Sequence, residues 1–149
     1  MYAMLCTRPD ICFAVGLVSR YQSNPGLIHW QAVRRIMCYL RGITDLVLCY
    51  QRGDFKLRGY SYADWGGDLN EFKSTSGYVF TLSWRAISWC NKQPDCIALF
   101  TMEAEYVACS IATQEAIWLR HFLQNLNLTT KVDDPVALLC ENTAAIQLA

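Results

Sequence analysis

The chain has 149 residues, 53% of them apolar, and its 13 basic and 13 acidic residues cancel. This length fits one domain or a domain with a short extension, and the apolar fraction supplies a buried core, which excludes a disordered chain. A net charge of zero gives no general attraction to polyanions or membranes, so a polyanion partner would need a local patch. No apolar run reaches the ~18 residues of a transmembrane helix. Arg8 and Asp10 interrupt the first apolar stretch, unlike a signal peptide.

The eight cysteines bear on location and on metal binding. None forms a Cys-x-x-Cys pair, and only His29 and His121 could join them, so the sequence does not favour a zinc site. Most have apolar neighbours, which is typical of buried, reduced thiols. We therefore expect structural cysteines in an intracellular protein, cytoplasmic or nuclear and not secreted.

The first fifty residues predict two helices. Thr7 is a candidate N-cap for the first. For the second, Asn24 can cap, Pro25 fits the first helical position, and Gly42 fits a left-handed termination. Its apolar face consists of Trp30, Val33, Met37 and Leu40. Its other face carries Arg34, Arg35 and Arg41, which form either a solvated surface or a phosphate-facing patch.

Strands are predicted next. Residues 46–50 predict one, and "KLRGYSYADW", "SGYVFTLSW" and "AISWCNKQ" predict three more in an antiparallel meander. A long helix should run from Thr101 to about Asn127. We expect an apolar stripe along it, and beside that a stripe of small residues that lets the helix lie close to a sheet. The larger stripe comprises Val107, Ile111, Trp118, Leu119, Leu123 and Leu126, and the smaller one Cys109, Ala112 and Ala116.

The last elements predict how the sheet is completed. Residues 136–140 form a nearly all-apolar strand, expected inside a sheet with both faces covered. "TAAIQLA" begins a final helix. The order β-β-β-α-β-α indicates an α/β fold whose fourth strand returns parallel to its partner.

Four polar residues fall at strand or helix ends in this arrangement. Tyr62 and Asp64 share one face near the end of the first core strand, Glu105 lies in the opening turns of the long helix, and Glu141 follows the buried strand. Converging carboxylates persist near neutral pH mainly around a cation, and oxygen ligands suit Mg²⁺. Each also has a structural explanation, as a helix-dipole partner, a turn aspartate or an exposed strand end.

Longer phrases carry a resemblance to a known family. "GYSYADWGGDLNEFKSTSGYVFTLSWRAISWCNKQ", "TMEAEYVACSIATQEAIWLR" and "LLCENTAAIQLA" resemble the ribonuclease H domain of copia-type LTR retrotransposon Pol polyproteins. "TRPDICFAVGLVSRYQSNPGLIHWQAVRRIMCYLRGI" resembles the segment that joins reverse transcriptase to that domain. The resemblance implies a helical reverse transcriptase/connection segment at residues 1–45, with a helical hairpin, and at 46–149 an RNase H-like mixed sheet with flanking helices, truncated at its C-terminus.

The resemblance also implies cleavage of RNA in RNA/DNA hybrids with two Mg²⁺ ions, or Mn²⁺, held by acidic residues. The family's first motif reads "YSDADW", and Tyr62 stands at its metal-bridging Asp. Glu105 matches the Glu of "AEY", Glu141 replaces the Asp of "CDN", and a fourth acid is expected beyond residue 149. A neutral phenol is a poor ligand for a hard dication, so we expect weakened metal binding and impaired catalysis, with Asp64 as the other acid on that face.

Candidate nucleic-acid contacts are Lys73, Ser74 and Thr75, in the family's "KSTSG", and Asn142. The serine and threonine hydroxyls equally suit a turn. Three hypotheses follow: a catalytically impaired RNase H-like part of a longer Pol polyprotein without a membrane partner, a non-catalytic module that binds hybrid or other nucleic acid, and a retroelement remnant without a folded role.

Overall fold

The computed structural model describes residues 2–50, 53, 56–67, 73–128 and 135–148. Contacts divide the chain into two compact units, Met1–Tyr50 and Gln51–Ala149. The functional boundary predicted after residue 45 stays a prediction. None of the helices in the described ranges combines the length and apolar character needed to cross a membrane.

The first unit is helical. It consists of α1 (Tyr2–Cys6), a 3₁₀ turn (Pro9–Ile11), α2 (Cys12–Ser19) and α3 (Leu27–Gly42). The N-cap predicted at Thr7 is wrong, because its Oγ1 donates to the carbonyl oxygen of Ala3 at 3.2 Å, at the end of α1. The chain turns through Pro9 before the α-helix begins.

Both predicted ends of α3 are corrected. Gly26 is the N-cap, and its N–H donates to His29 Nδ1 at 2.9 Å, so the helix begins two residues after Pro25. Gly42 is the last helical residue, and its φ is not positive. Termination instead involves Ile43, whose N–H donates to the carbonyl oxygen of Leu40 at 3.4 Å.

The second unit contains a four-stranded mixed sheet. Its strands are β1 (Leu57–Asp64), β2 (Thr75–Leu82), β3 (Arg85–Lys92) and β4 (Ala137–Leu139), in the order β3-β2-β1-β4. The β1–β2 and β2–β3 pairs are antiparallel, and β1 and β4 are parallel. The predicted meander and the parallel return of the last strand are confirmed.

One predicted strand does not form, and another is shorter and more exposed than predicted. Residues 46–50 are not a strand, and Leu46 and Val47 are 66% and 74% exposed. Apolar composition alone does not make a strand when no neighbouring strand pairs with it. The strand predicted at 136–140 spans only Ala137–Leu139, and Ala137 and Leu139 are exposed, so one of its faces lacks the expected cover.

The long helix α4 (Thr101–Asn125) packs on β1 and β2, and α5 (Thr143–Leu148) packs on α4. Its predicted extent is confirmed to within two residues. Small residues form most of the contact stripe, which brings the helix close to Phe80. The buried positions are Ala104, Ala108, Ala112, Ala116, Leu119 and Leu123. Trp118 and Leu126 of the predicted apolar stripe are exposed instead.

The pairing defines two faces of the sheet. Gly59 pairs with the buried Phe80, so Gly59 and Ser61 lie on the face that packs on α4, which we call the inner face. Tyr60, Tyr62 and Asp64 lie on the opposite, outer face. The mixed α/β architecture is confirmed and is compatible with the RNase H-like fold that the resemblance implies.

Candidate metal and nucleic-acid site

Tyr62 is held on the outer face by β2 and β3. Its register partner is Gly77, and the phenolic oxygen accepts a hydrogen bond from Asn91 Nδ2. A Cβ at Gly77 would lie 2.6 Å from the Tyr62 oxygen, so the ring rests directly on the glycine backbone. The side chain at position 62 therefore extends across the sheet toward β3.

Asp64 is the last residue of β1 and is exposed. A Cβ added at Gly67 would clash with the Asp64 carboxylate, so this side chain folds over the turn that follows the strand. Trp65 anchors the same turn, since its Nε1–H donates to the carbonyl oxygen of Ala98 at 3.0 Å. This position of Asp64 agrees with the structural explanation given in the sequence analysis, that of an aspartate in a turn.

The structure brings Glu105 to the end of β4. Cys140 Sγ lies 3.7 Å from Glu105 Oε2 and donates to it. Glu141 is the next residue, exposed, two positions after Leu139, which pairs with Tyr60. The two glutamates thus lie near the C-terminal ends of parallel strands, where Asp64 also ends β1. Glu103 has a separate role at the start of α4, accepting from the N–H of Leu99 at 2.7 Å.

Three residues beside Glu105 were not predicted from the sequence as part of the site: Ser61, Cys109 and Cys140. Ser61 Oγ and Cys109 Sγ share a hydrogen bond of 3.2 Å across the inner face. Burial raises the pKa of the Cys109 thiol, and Cys140 and Glu105 raise it further, against the lowering effect of Ser61. Ser61 could have been found from the sequence. Side chains alternate along a strand, so Ser61 must face the helix if Tyr62 faces the other way.

The predicted nucleic-acid contacts lie mostly within the fold. Ser74 and Thr75 are 2% and 3% exposed, and Ser74 Oγ accepts from the N–H of Gly66 at 3.4 Å. Lys73 is half-buried. Asn142 Oδ1 accepts from the N–H of Ala145 at 3.2 Å, at the start of α5. These contacts favour turn-forming and helix-capping roles for the polar groups of Ser74 and Asn142.

The donor set does not fit a pair of Mg²⁺ ions. Across the described ranges, no three His, Cys, Asp or Glu side chains gather closely enough to hold a metal ion. A thiol donates to one oxygen of Glu105, and a phenol stands at position 62. Mg²⁺ prefers oxygen ligands with near-octahedral geometry.

Comparison with known proteins found clear relatives. The chain is 50% identical over its whole length to 11% of the retrovirus-related Pol polyprotein from transposon TNT 1-94 of Nicotiana tabacum. It is 34% identical, over 95% of its length, to 10% of the Pol polyprotein from transposon RE2 of Arabidopsis thaliana. The chain thus spans about a tenth of these Pol relatives.

A shorter relative has a different name. The chain is 48% identical to the secreted RxLR effector protein 161 of Plasmopara viticola, over 80% of the chain and 84% of that relative. No family model and no solved structure matches the chain.

Proposed function

The chain belongs to the family of copia-type, retrovirus-related Pol polyproteins of transposons, and we propose that it is the RNase H-like portion of Pol with the segment that precedes it. Its ancestral reaction is cleavage of RNA in RNA/DNA hybrids with two Mg²⁺ ions. In this chain that reaction is impaired, and Mg²⁺ or Mn²⁺ binds weakly. The substrate and the metal come from the family resemblance.

The observation that carries the impairment is the environment of Tyr62. Its ring covers Gly77, and its oxygen accepts from Asn91. A phenol has a pKa near ~10 and is neutral at pH 7, so it supplies no negative charge for a dication. Asp64 is two residues along the strand, roughly 6–7 Å away, and catalytic groups act only within about 0.5 Å of their productive positions.

The remaining chemistry belongs to Glu105 and Glu141. Glu105 is half-buried, and a thiol donor contacts one of its oxygens; Glu141 is exposed and one methylene longer than the Asp of the motif. Both keep a carboxylate group, the type of oxygen ligand that Mg²⁺ prefers. Without a third carboxylate at position 62 they cannot fix two ions about 4 Å apart, the separation used in two-metal phosphodiester cleavage.

The test is cleavage of a labelled RNA/DNA hybrid in Mg²⁺ or Mn²⁺. We expect no product from the wild-type chain above a blank. Tyr62→Asp with Glu141→Asp, in a chain continued after Ala149 with the tobacco transposon sequence, should gain metal-dependent cleavage. The matched control is Tyr60→Asp in place of Tyr62→Asp, because Tyr60 shares the outer face and is 37% exposed against 36%.

Wild-type cleavage at the rate of the tobacco segment, abolished by Glu105→Gln, would refute the impairment. Cleavage that survives Glu105→Gln identifies a contaminating nuclease, and the preparation is then repurified and reassayed.

A second candidate is a non-catalytic module that binds hybrid or structured nucleic acid. The match to most of a short relative shows that this sequence unit also exists outside a full-length Pol, and the nucleic-acid partner comes from the family resemblance. With zero net charge, affinity should be weak and should fall with salt. Equal gel-shift affinity for hybrid, single-stranded RNA and duplex DNA at low salt would exclude recognition of hybrids.

A further inference from the structure

Two cysteines, Cys109 and Cys140, lie between α4 and the inner face of the sheet. A Cβ added at Gly59 would meet the side chains of both Phe80 and Leu138, so Leu138 lies on the inner face. Side chains alternate along a strand, which places Cys140 on that face as well. Its Sγ contacts Glu105, and Cys109 lies four residues further along α4, on the same side of the helix. Cys109 Sγ contacts Ser61 Oγ at 3.2 Å on β1, the strand that pairs with β4, and Cys140 is close enough to raise the pKa of the Cys109 thiol.

We propose that Cys109 and Cys140 form a dithiol site that a small-molecule disulfide oxidises to an intramolecular disulfide bond. The site joins the middle of α4 to the residue that follows β4. It does not depend on nuclease activity, because it uses only the placement of two thiols. Cys90, the other half-buried cysteine of this unit, lies beside Lys92 and Glu115 and provides a natural comparison.

The reaction balances with a glutathione-type disulfide as the oxidant. The Cys140 thiolate attacks one sulfur of the oxidant, forming a mixed disulfide and releasing one thiolate. The Cys109 thiolate then attacks the Cys140 sulfur and releases the second. The two protein protons go to the two released thiolates, so two thiols are oxidised and one disulfide is reduced. Each attacking sulfur reacts as the thiolate, which is the nucleophilic form of the thiol.

Oxidation changes the surroundings of Glu105. In the reduced protein Cys140 donates its S–H to Glu105 Oε2, and a disulfide has no such proton. The carboxylate therefore loses this donor while the end of β4 becomes tied to α4. The arrangement of the polar side chains near Glu141 then depends on whether Cys109 and Cys140 are reduced or oxidised.

The experiment uses the full chain with its four exposed cysteines replaced, Cys6→Ser, Cys38→Ser, Cys49→Ser and Cys96→Ser. After oxidation with glutathione disulfide and blocking of free thiols, trypsin cleaves after Arg85, Lys92, Arg120 and Lys131. Cys90 then falls in peptide 86–92, Cys109 in 93–120 and Cys140 in 132–149. Replacing Cys96 leaves Cys109 as the only thiol of its peptide.

We expect a cross-linked 93–120/132–149 species, about 2 Da lighter than the two reduced peptides together, while peptide 86–92 remains unlinked. The oxidised chain should melt at least about 5 °C higher than the reduced one, because the bond closes a long loop. Cys90→Ser in this background should change neither result. Glutathione adducts on residues 109 and 140 without the cross-link, or no oxidation of either, would overturn the proposal.

Discussion

At the scale of single residues, the ring of Tyr62 on β1 lies directly against Gly77, its neighbour on β2. Gly77→Ala would drive a methyl group into the phenol ring. We expect a loss of about 1–3 kcal/mol in the free energy of unfolding, the usual cost of overpacking. Urea denaturation measures it.

A double-mutant cycle with Tyr62→Ala separates this clash from strand propensity. If the ring causes the cost, Gly77→Ala should be nearly neutral in the Tyr62→Ala background. The matched control is Gly42→Ala, where nothing lies within 4 Å of the added Cβ. That change should be neutral or stabilise the helix by up to ~1 kcal/mol. Equal effects of Gly77→Ala in both backgrounds would contradict the assigned contact.

Asp10 gives the helical unit a defined pH dependence. Arg8 donates to it at 2.7 and 3.0 Å, Tyr39 donates from α3 at 2.9 Å, and these bonds lower the pKa of Asp10 from 3.8 to about 2. Because the folded-state pKa is the lower one, the ionised carboxylate stabilises the fold above pH 3.8. This contribution disappears as the pH falls through about 2.

Asp10→Asn should therefore lower stability at pH 6 by under about 1 kcal/mol, a small amount because both side chains of the pair remain in contact with solvent. The difference from wild type should shrink between pH 4 and pH 2, followed by circular dichroism during urea denaturation. Asp45→Asn, an exposed carboxylate in the same unit, is the control. A difference that stays constant down to pH 2 would disprove the assignment.

At the scale of secondary-structure elements, α4 depends on small side chains where it crosses the sheet. Ala112 is fully buried against Phe80, and Ala116 is next along the stripe. We expect Ala112→Leu to cost about 1–3 kcal/mol, since the extra atoms must push the helix away from β2. Gln114→Leu, on an exposed part of the same helix, should be within about 0.5 kcal/mol of wild type. Thermal unfolding compares them, and equal melting temperatures would disprove close packing at Ala112.

The elements differ in how much of their structure is determined by local sequence. The span of α4 was predictable because no Gly or Pro interrupts it and because its alanines recur at helical spacing. The strand predicted at 46–50 was wrong because apolar composition does not specify a pairing partner. At β4 the parallel direction followed from the crossover helix, whereas the exposure of Ala137 and Leu139 depends on what covers the outer face.

The site was predictable to a similar degree. Parallel pairing of β1 and β4 was enough to infer that Glu141 and Asp64 end at one edge of the sheet. The thiol of Cys140 on Glu105 was not inferred, because that contact depends on how deeply α4 rests on the sheet. The contact of Tyr62 with Asn91 likewise requires the register of a third strand.

At the scale of the whole molecule, the two units differ in how much core they bury. In the described part of Met1–Tyr50, Met4, Ile11 and Cys12 are the buried residues, and α3 contributes none. A groove of about 270 Å³ between α2 and α3 has apolar walls that include Val15 and Val33. Gln51–Ala149 instead encloses Phe80 beneath the alanine stripe of α4.

Separate production of residues 1–50 and 51–149 tests this difference. The sheet-containing fragment should melt cooperatively in far-ultraviolet circular dichroism, within a few degrees of a transition of the full chain. The helical fragment should show little helix and no cooperative melt, because chains near ~40–60 residues are only marginally stable even with a complete core. A cooperative transition in residues 1–50, or its absence in 51–149, would contradict the assignment of the stable core to the sheet and α4.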